Sequence, residues 1–265
     1  MKNLQNPNII CNFAAQSRSF LSQTLCWWRI RVFFLDYHMR PEIDILNEAF
    51  SAQRLKKYII LYDGDMAKVA AHYKANLALS ESLYTSLSVF EVTLRNALSK
   101  QLERMMGRKD WYSVFPSNPA LKSLTSEITV AIRHISQRGE MVSPDKIIAE
   151  LTFGFWVTLL NSEYELTLWK DLRLAFPHMP KKDRKRKNLS SPCNALRKLR
   201  NRVFHHESIC WDLDYIIDLH NRLVMVLGWT NADMPSWLDE VDHFSKVVDE
   251  IRNSSFGLKV WDICP

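Results

Sequence analysis

The chain has 265 residues, of which 47% are hydrophobic and 24% are charged, close to the averages for globular domains. This composition excludes a collagen-like, mucin-like or largely disordered protein. Only 6 residues are glycine, so the glycine-rich phosphate-binding loops are absent and folds with a tight turn every few residues are disfavoured. The net charge of +6 permits an anionic partner without requiring one.

The cysteines form neither a zinc pattern nor a disulfide framework, because their number is odd and no C-x-x-C pair occurs. They are Cys11, Cys26, Cys193, Cys210 and Cys264. The most apolar segment, residues 21–35, is interrupted by Arg29 and Arg31, and a membrane helix needs about 18 or more uncharged apolar residues. We therefore expect a cytoplasmic protein in a reducing compartment, with no membrane segment.

Residues 1–38 differ from the rest of the chain, since they lack a helical period and end in an aromatic segment around Trp27 and Trp28. One interpretation is a flexible arm that packs on the body or on a partner. Another is a start codon assigned too early, with Met39 as the true first residue, and a third is a membrane-surface segment. The predicted division is an extension over 1–38 and a helical domain over 39–265.

The first predicted helix begins near Pro41, a residue suited to the first helical turn. Asp63-Gly64-Asp65 predicts a turn. From residue 66 to residue 105 apolar side chains recur at intervals of three and four, which predicts one long amphipathic helix. Gly107 is expected to end this helix.

Three pairs place a capping side chain directly before proline, the combination that opens a helix. They are Asn118-Pro119, Ser143-Pro144 and Ser191-Pro192. Two further helices follow from the apolar spacing. The predicted helices are 119–137, 144–160, 192–205, 213–227 and 236–252. Because no hairpin signal or internal repeat occurs, the predicted fold class is all-α, in the form of a helical bundle.

A run of basic residues at 181–187 is the most polar part of the chain. Six of its seven residues are basic: Lys181, Lys182, Arg184, Lys185, Arg186 and Lys187. Such a run attracts phosphate groups, and its position after Pro180 predicts an exposed loop or helix tip. We therefore expect it to bind RNA, with a solvated connector as the alternative.

A second polar group ends the helix predicted from Ser191. Asn201 and His205 are four residues apart and share a helix face, with Arg200 beside that face and His206 next to His205. Arginine can clamp a phosphate, and histidine can carry a proton near neutral pH. Metal-free RNA cleavage needs these functions, because the 2′-hydroxyl loses a proton, the 5′-oxygen gains one and the phosphate charge is stabilised.

This Arg–His spacing alone is a weak signal. It recurs by chance at Arg173 and His178, where Pro177 breaks the helix. The alternative for Arg200 and its neighbours is a solvated helix end, with His205 near the negative pole of the helix.

Other residues give weaker signals. Glu91, Arg95 and Asn96 are secondary site candidates, although an intrahelical ion pair accounts for Glu91 and Arg95. Cys193 and Cys210 are expected to be small core residues rather than reactive thiols. The adjacent histidines 205 and 206 point to different faces, so no metal site and no cofactor are expected.

Residues 199–207, LRNRVFHHE, resemble the signature of the Abi-like (abortive infection) proteins, bacterial members of the HEPN superfamily. Two further segments are similar to that family and follow in its order: residues 90–98, and residues 151–157 followed by Leu168-Trp169. The resemblance covers roughly residues 41–230.

The resemblance implies an HEPN-like antiparallel helical bundle with additional helices. It also implies a homodimer in which two Arg…His motifs face each other to form a metal-independent endoribonuclease in phage defence or a toxin–antitoxin system. By this resemblance Arg200, Asn201 and His205 are catalytic, with His206 as the near alternative.

The implied partners are RNA, a second copy of the chain, and an antitoxin or another defence protein. A related toxin subgroup carries, two residues after the histidine, a tyrosine that a nucleotidyl-transferring antitoxin modifies. Glu207 stands there in this chain, so that control is not implied. Because some members of the superfamily only bind RNA, the alternative function is a non-catalytic RNA-binding or partner-binding module.

Overall fold

The computed structural model describes residues 42–254. The predictions for residues 1–38, Met39 and Pro41 lie outside these residues. The chain divides into two compact units, one up to Ala71 and the other from His72 onward. Each unit is described separately below.

The first unit contains two helices and the start of a third: α1 (Glu42–Ala49), α2 (Ala52–Leu61) and α3 (Met66–Met106). Ser51 caps α2, with its hydroxyl accepting a hydrogen bond from the Arg54 amide at 3.3 Å. The predicted turn before α3 is confirmed, since Asp63 and Gly64 have φ angles of 49° and 83°.

The second unit contains the rest of α3 and eight further helices within the described residues. Their bounds are α4 (Thr125–Gln137), α5 (Pro144–Glu150), α6 (Phe153–Thr158), α7 (Lys170–Leu172), α8 (Arg186–Phe204), α9 (Leu213–Thr230), α10 (Met234–Asp239) and α11 (Phe244–Asn253). Shorter 3-10 and π-helical turns lie between them. Residues 42–254 contain no strand, so the predicted all-α fold class is confirmed. No helix in this part of the chain combines the length and the apolar character needed to cross a membrane.

One face of α3 forms the spine of the core in the second unit. Leu83, Leu87 and Phe90 are almost completely buried there, at the predicted spacing. The apolar spacing predicted for this helix also includes Leu77, but Leu77 is 48% exposed, so the prediction is wrong at that position. The buried position at that level belongs to the polar Asn76, and a search for apolar spacing passes over it.

An aromatic cluster fixes the segment that follows α3. Trp111, Phe115, Phe155 and Trp156 are fully buried, and the Trp111 indole donates a hydrogen bond to the Ser99 hydroxyl at 3.2 Å. The segment FGFW of residues 153–156, part of the family resemblance, therefore contributes aromatic rings to the core.

Several predicted helix boundaries are wrong. Asn118 accepts a hydrogen bond from the Ala120 amide, but α4 begins only at Thr125, after a 3-10 turn. Ser143 caps α5 as predicted. The helix predicted over 144–160 is two helices, because Leu151 is extended and Thr152 caps α6 through the Phe155 amide at 3.1 Å. The helix predicted over 236–252 likewise divides into α10 and α11.

The largest difference concerns α8, which begins at Arg186 rather than at Pro192. Pro192 lies inside the helix and is buried. Proline inside a helix removes one backbone hydrogen bond, and the burial of its ring offsets part of that cost. As a consequence, α8 joins the basic run at its first residues to the Arg–His motif at its last.

Candidate functional site

Arg200 lies at the C-terminal end of α8 and faces α3. Its Nε donates to Glu91 Oε2 at 3.1 Å, and its guanidinium carbon lies 4.2 Å from the centre of the Phe204 ring. The side chains of Arg200 and Glu91 are 28% and 25% exposed, so the pair is only partly screened by water. The structure thus brings a predicted catalytic residue together with a secondary candidate from another helix.

The prediction of an ion pair between Glu91 and Arg95 is wrong, because Glu91 pairs with Arg200. Arg95 Nε instead donates to the side-chain oxygen of Asn96 at 3.3 Å, in an exposed setting. Glu91 pairs with Arg200 of α8, although Arg95 is also half-buried. Arg95 and Asn96 form a separate pair on the surface of α3.

A stack of side chains fixes the orientation of Arg200. The Phe204 ring, under the guanidinium, also stacks on Tyr84 of α3, with ring centroids 5.1 Å apart and planes inclined at 22°. Tyr84 and Glu91 are seven residues apart, so they project from the same side of α3. Tyr84 is 55% exposed, and the stack therefore extends from the ion pair to the solvent.

The chain leaves α8 through a left-handed residue. His206 has a φ of 57°, its amide bonds to the Val203 carbonyl at 3.1 Å, and the Glu207 amide bonds to the Arg202 carbonyl at 2.8 Å. This is the Schellman arrangement, in which the left-handed position is usually glycine. Left-handed backbone costs a residue with a side chain roughly 1–2 kcal/mol, although histidine adopts it more often than most.

Three predicted site residues surround this helix end. Asn201, His205 and His206 are all exposed, and the amide of His205 still donates to the Asn201 carbonyl at 2.9 Å. Arg202 binds the following loop through the Ser208 carbonyl and the Glu207 carboxylate, at 3.6 Å. These three exposed side chains and Arg200 therefore belong to the same end of α8.

Two buried polar residues of α3 anchor the loop that follows. The Asn76 side-chain oxygen accepts from the amides of Ile209 and Cys210 at 2.7 and 3.1 Å. His72 Nε2 lies 2.7 Å from the Cys210 carbonyl, which can only accept, so this nitrogen carries the proton. Burial lowers the pKa of His72, which keeps the ring neutral at neutral pH.

Neither of these two anchoring residues was predicted from the sequence. His72 and Asn76 are 1% and 3% exposed, and they lie four residues apart on α3, whose buried residues are mostly apolar but also include Ser82 and Ser86. The sequence signal for them was a histidine and an asparagine four residues apart among mostly apolar residues. Such a pair indicates buried polar side chains, and these require fixed hydrogen-bond partners.

The thiols near the site are not reactive. Burial raises the pKa of both Cys193 and Cys210 to about 12, so both are protonated and behave as small core side chains. Within residues 42–254, no group of three or more histidine, cysteine, aspartate or glutamate side chains is placed to hold a metal ion.

The basic run covers a 3-10 turn (Lys181–Asp183) and the first residues of α8. Lys181, Lys182, Lys185 and Lys187 are exposed. The two arginines of the run are half-buried. Arg184 donates to the Met179 and Pro177 carbonyls at 2.8 and 2.7 Å.

Arg186 is bonded inside the fold in the same way. Its Nε donates to the Glu165 carboxylate at 2.7 Å, and its Nη1 donates to the Leu160 carbonyl and the Ser190 hydroxyl at 3.2 and 2.9 Å. The run therefore has two parts: arginines that fasten the preceding segment to α8, and lysines that face the solvent.

Comparison of the chain with protein-family models, with curated proteins and with solved structures finds no match.

Proposed function

We propose that this chain is an Abi-like, HEPN-type endoribonuclease that cleaves RNA without a metal ion, acting in the cytoplasm in phage defence or as a toxin. The observation that carries the proposal is the state of Arg200. One of its N–H groups is bonded to Glu91 and its face rests on Phe204, and within residues 42–254 no other acceptor binds it. The remaining N–H groups are thus oriented and free for a phosphate.

In the proposed reaction the 2′-oxygen attacks the neighbouring phosphorus and the bond from phosphorus to the 5′-oxygen breaks. A proton leaves the 2′-hydroxyl and another joins the departing 5′-oxygen, which leaves a cyclic phosphate and a 5′-hydroxyl. Arg200 stabilises the phosphate charge, Asn201 orients the phosphate, and His205 transfers a proton. The lysines of the basic run hold the RNA away from the reacting bond.

A single imidazole cannot be both base and acid in one step, so the proposed site is shared by two chains. A two-fold dimer presents the same surface twice, which places His205 of each chain opposite its copy. Protomers carrying Arg200→Ala and His205→Ala, each inactive alone, should regain part of the activity when assembled together. A monomer with full specific activity would contradict the shared site.

The experiment that tests the function is RNA cleavage in EDTA by the purified full chain. His205→Ala should reduce the rate by about 10²-fold or more, the range of general acid–base catalysis. The matched control is His178→Ala, which removes an exposed imidazole outside the site. Equal rates for wild type and His205→Ala would contradict the role of His205, and loss of cleavage in EDTA would point to a metal mechanism.

A non-catalytic RNA-binding or partner-binding module is the second candidate. The exposed lysines of the basic run favour it, because they can bind phosphates without any proton transfer. RNA binding without cleavage under every condition would select this function.

A further inference from the structure

Helix α8 carries basic side chains and no acidic ones. Its 19 residues contain six lysines and arginines and neither aspartate nor glutamate. The basic residues are Arg186, Lys187, Arg197, Lys198, Arg200 and Arg202. A helix without acidic side chains contributes only positive charge near each of its ends, whereas residues 188–196 between the two predicted sites carry no charged side chain.

Exposed polar side chains of α8 and of its C-terminal cap lie in a line along one side of the helix, although residues 192–197 in the middle are buried or half-buried. Lys187, Lys198 and His205 are separated by 11 and 7 residues, and at about 3.6 residues per turn these separations return to nearly the same side of a helix. All three residues are exposed, as are Ser191 and Asn201 beside the line. From Lys187 to His205 the line is about 27 Å long at roughly 1.5 Å per residue.

We propose that this line is a track for one strand of RNA, which enters at the lysines of the basic run and is led past Lys198 to His205. The inference rests on the proposed function for the identity of the strand and adds its path and footprint. A stacked strand carries one phosphate per roughly 3.4 Å, so a 27 Å track accommodates about eight nucleotides.

The composition of the track favours a nucleic acid over an acidic protein. Its middle positions, Asn194 and Ala195, are half-buried and provide no large apolar side chain, whereas protein interfaces depend on large aromatic and aliphatic anchors. A single row of cations and amides instead suits a single row of phosphates.

A cleft at the start of the track adds a place for a base. It has a volume of about 540 Å³, and its lining includes Asp183, Lys187, Ser191, Trp229 and Arg222. The Arg222 guanidinium is paired with Asp218 at 2.8 Å. An indole and a guanidinium are surfaces on which unpaired bases stack. At the other end, Glu207 is paired with Arg202, which reduces its repulsion of a phosphate.

The test measures binding by fluorescence anisotropy across a range of salt concentrations. The probes are labelled 2′-fluoro oligouridines, which lack the 2′-hydroxyl and so cannot be cleaved by the proposed reaction. Lys187→Gln with Lys198→Gln should lower the slope of log affinity against log salt by roughly 1.4, since each lost phosphate contact lowers it by about 0.7 on single strands. Affinity of the wild type should rise with probe length and level off near eight nucleotides.

The matched control is Lys100→Gln with Lys122→Gln, which removes the same charge from exposed positions on other elements and should leave the slope unchanged. Circular dichroism establishes that both double variants are folded. An equal loss of slope in both variants, or no loss in either, overturns the track. Polyglutamate bound as tightly as the probes, with the same dependence on Lys187 and Lys198, overturns it in favour of an acidic protein partner.

These results are separable from the test of cleavage. A chain that cleaves no RNA but shows the predicted slope change retains the track and loses the nuclease. A chain that cleaves RNA with an unchanged slope in the Lys187/Lys198 variant retains the nuclease and loses the track.

Discussion

The two ends of α8 both carry arginine, but the bonds of Arg186 and Arg200 differ. Near the N-terminal end, Arg186 bonds to a carboxylate, a backbone carbonyl and a hydroxyl, and its side chain is 15% exposed. Near the C-terminal end, Arg200 bonds to one carboxylate and rests on one ring, and it is 28% exposed. The Arg186 guanidinium is therefore occupied by bonds within the fold, whereas the Arg200 guanidinium is held in one orientation and keeps N–H groups that bind no acceptor within residues 42–254.

This difference shows why a count of basic residues does not locate a ligand site. Arginine has several N–H donors in a planar fork. Its capacity to bind a ligand depends on how many of these donors are not already bonded within the protein. By this criterion the cations that remain available at the N-terminal end are the exposed lysines, whereas at the C-terminal end they include Arg200.

The largest expected effect comes from changing each arginine to lysine. Arg200→Lys should reduce RNA cleavage by about 10²–10³-fold, the range for loss of one transition-state donor, and should change the free energy of unfolding by less than about 1 kcal/mol. Arg186→Lys should lower the free energy of unfolding by roughly 1–3 kcal/mol, because the Leu160 carbonyl loses its donor. Urea denaturation and cleavage assays on both variants measure the two effects.

The comparison of the two ends predicts that Arg200→Lys affects cleavage more than stability and that Arg186→Lys affects stability more than cleavage. If Arg186→Lys lost cleavage at unchanged stability, the N-terminal end would belong to the active site. If Arg200→Lys lost stability and kept its cleavage rate, Arg200 would be a structural residue like Arg186.

A smaller effect is expected at the anchor of the loop after α8. Asn76→Ala leaves the buried amides of Ile209 and Cys210 without their acceptor, and each unsatisfied group costs about 1–3 kcal/mol. The free energy of unfolding should fall by roughly 2–4 kcal/mol, as measured by chemical denaturation. Asn96→Ala, at an exposed position of the same helix, is the control and should stay within about 0.5 kcal/mol of wild type.

Asn76→Asp keeps an acceptor oxygen and should recover part of the stability that alanine loses. A loss of less than about 1 kcal/mol for Asn76→Ala, below the cost of even one typical unsatisfied amide, would mean that water replaces the side chain. The loop would then not depend on the Asn76 side chain.

Local sequence signals predicted the parts of this fold that local interactions determine. Residues 66–105 were predicted as one helix, and α3 is Met66–Met106. Gly107 ends it with a φ of 68°, as expected for a residue that tolerates left-handed backbone. Ser143 caps α5 because its side chain reaches an amide three residues away.

The features that were not predicted depend on interactions between residues distant in sequence. Glu91 and Arg200 are 109 residues apart, and no local pattern connects them. Ser191-Pro192 has the composition of a helix start, yet Pro192 is buried inside α8, so tertiary packing outweighs the local preference. The continuity of the basic run with the Arg–His motif was missed for the same reason.

The smallest expected effect distinguishes the two histidines at the C-terminal end of α8. His206→Gly places glycine at the left-handed position and should raise the free energy of unfolding by roughly 0.5–1 kcal/mol, since glycine adopts this backbone without steric cost. His205→Gly, at a φ of −91°, gains nothing from that freedom and should lower stability slightly. Thermal denaturation of both variants measures the effect on backbone conformation, and RNA cleavage by the same variants measures the loss of the proton-transferring imidazole. If His205 transfers the proton, His206→Gly is more stable and still cleaves. If His206→Gly is more stable and inactive, the proton carrier is His206, and its left-handed backbone is strain retained at a functional position.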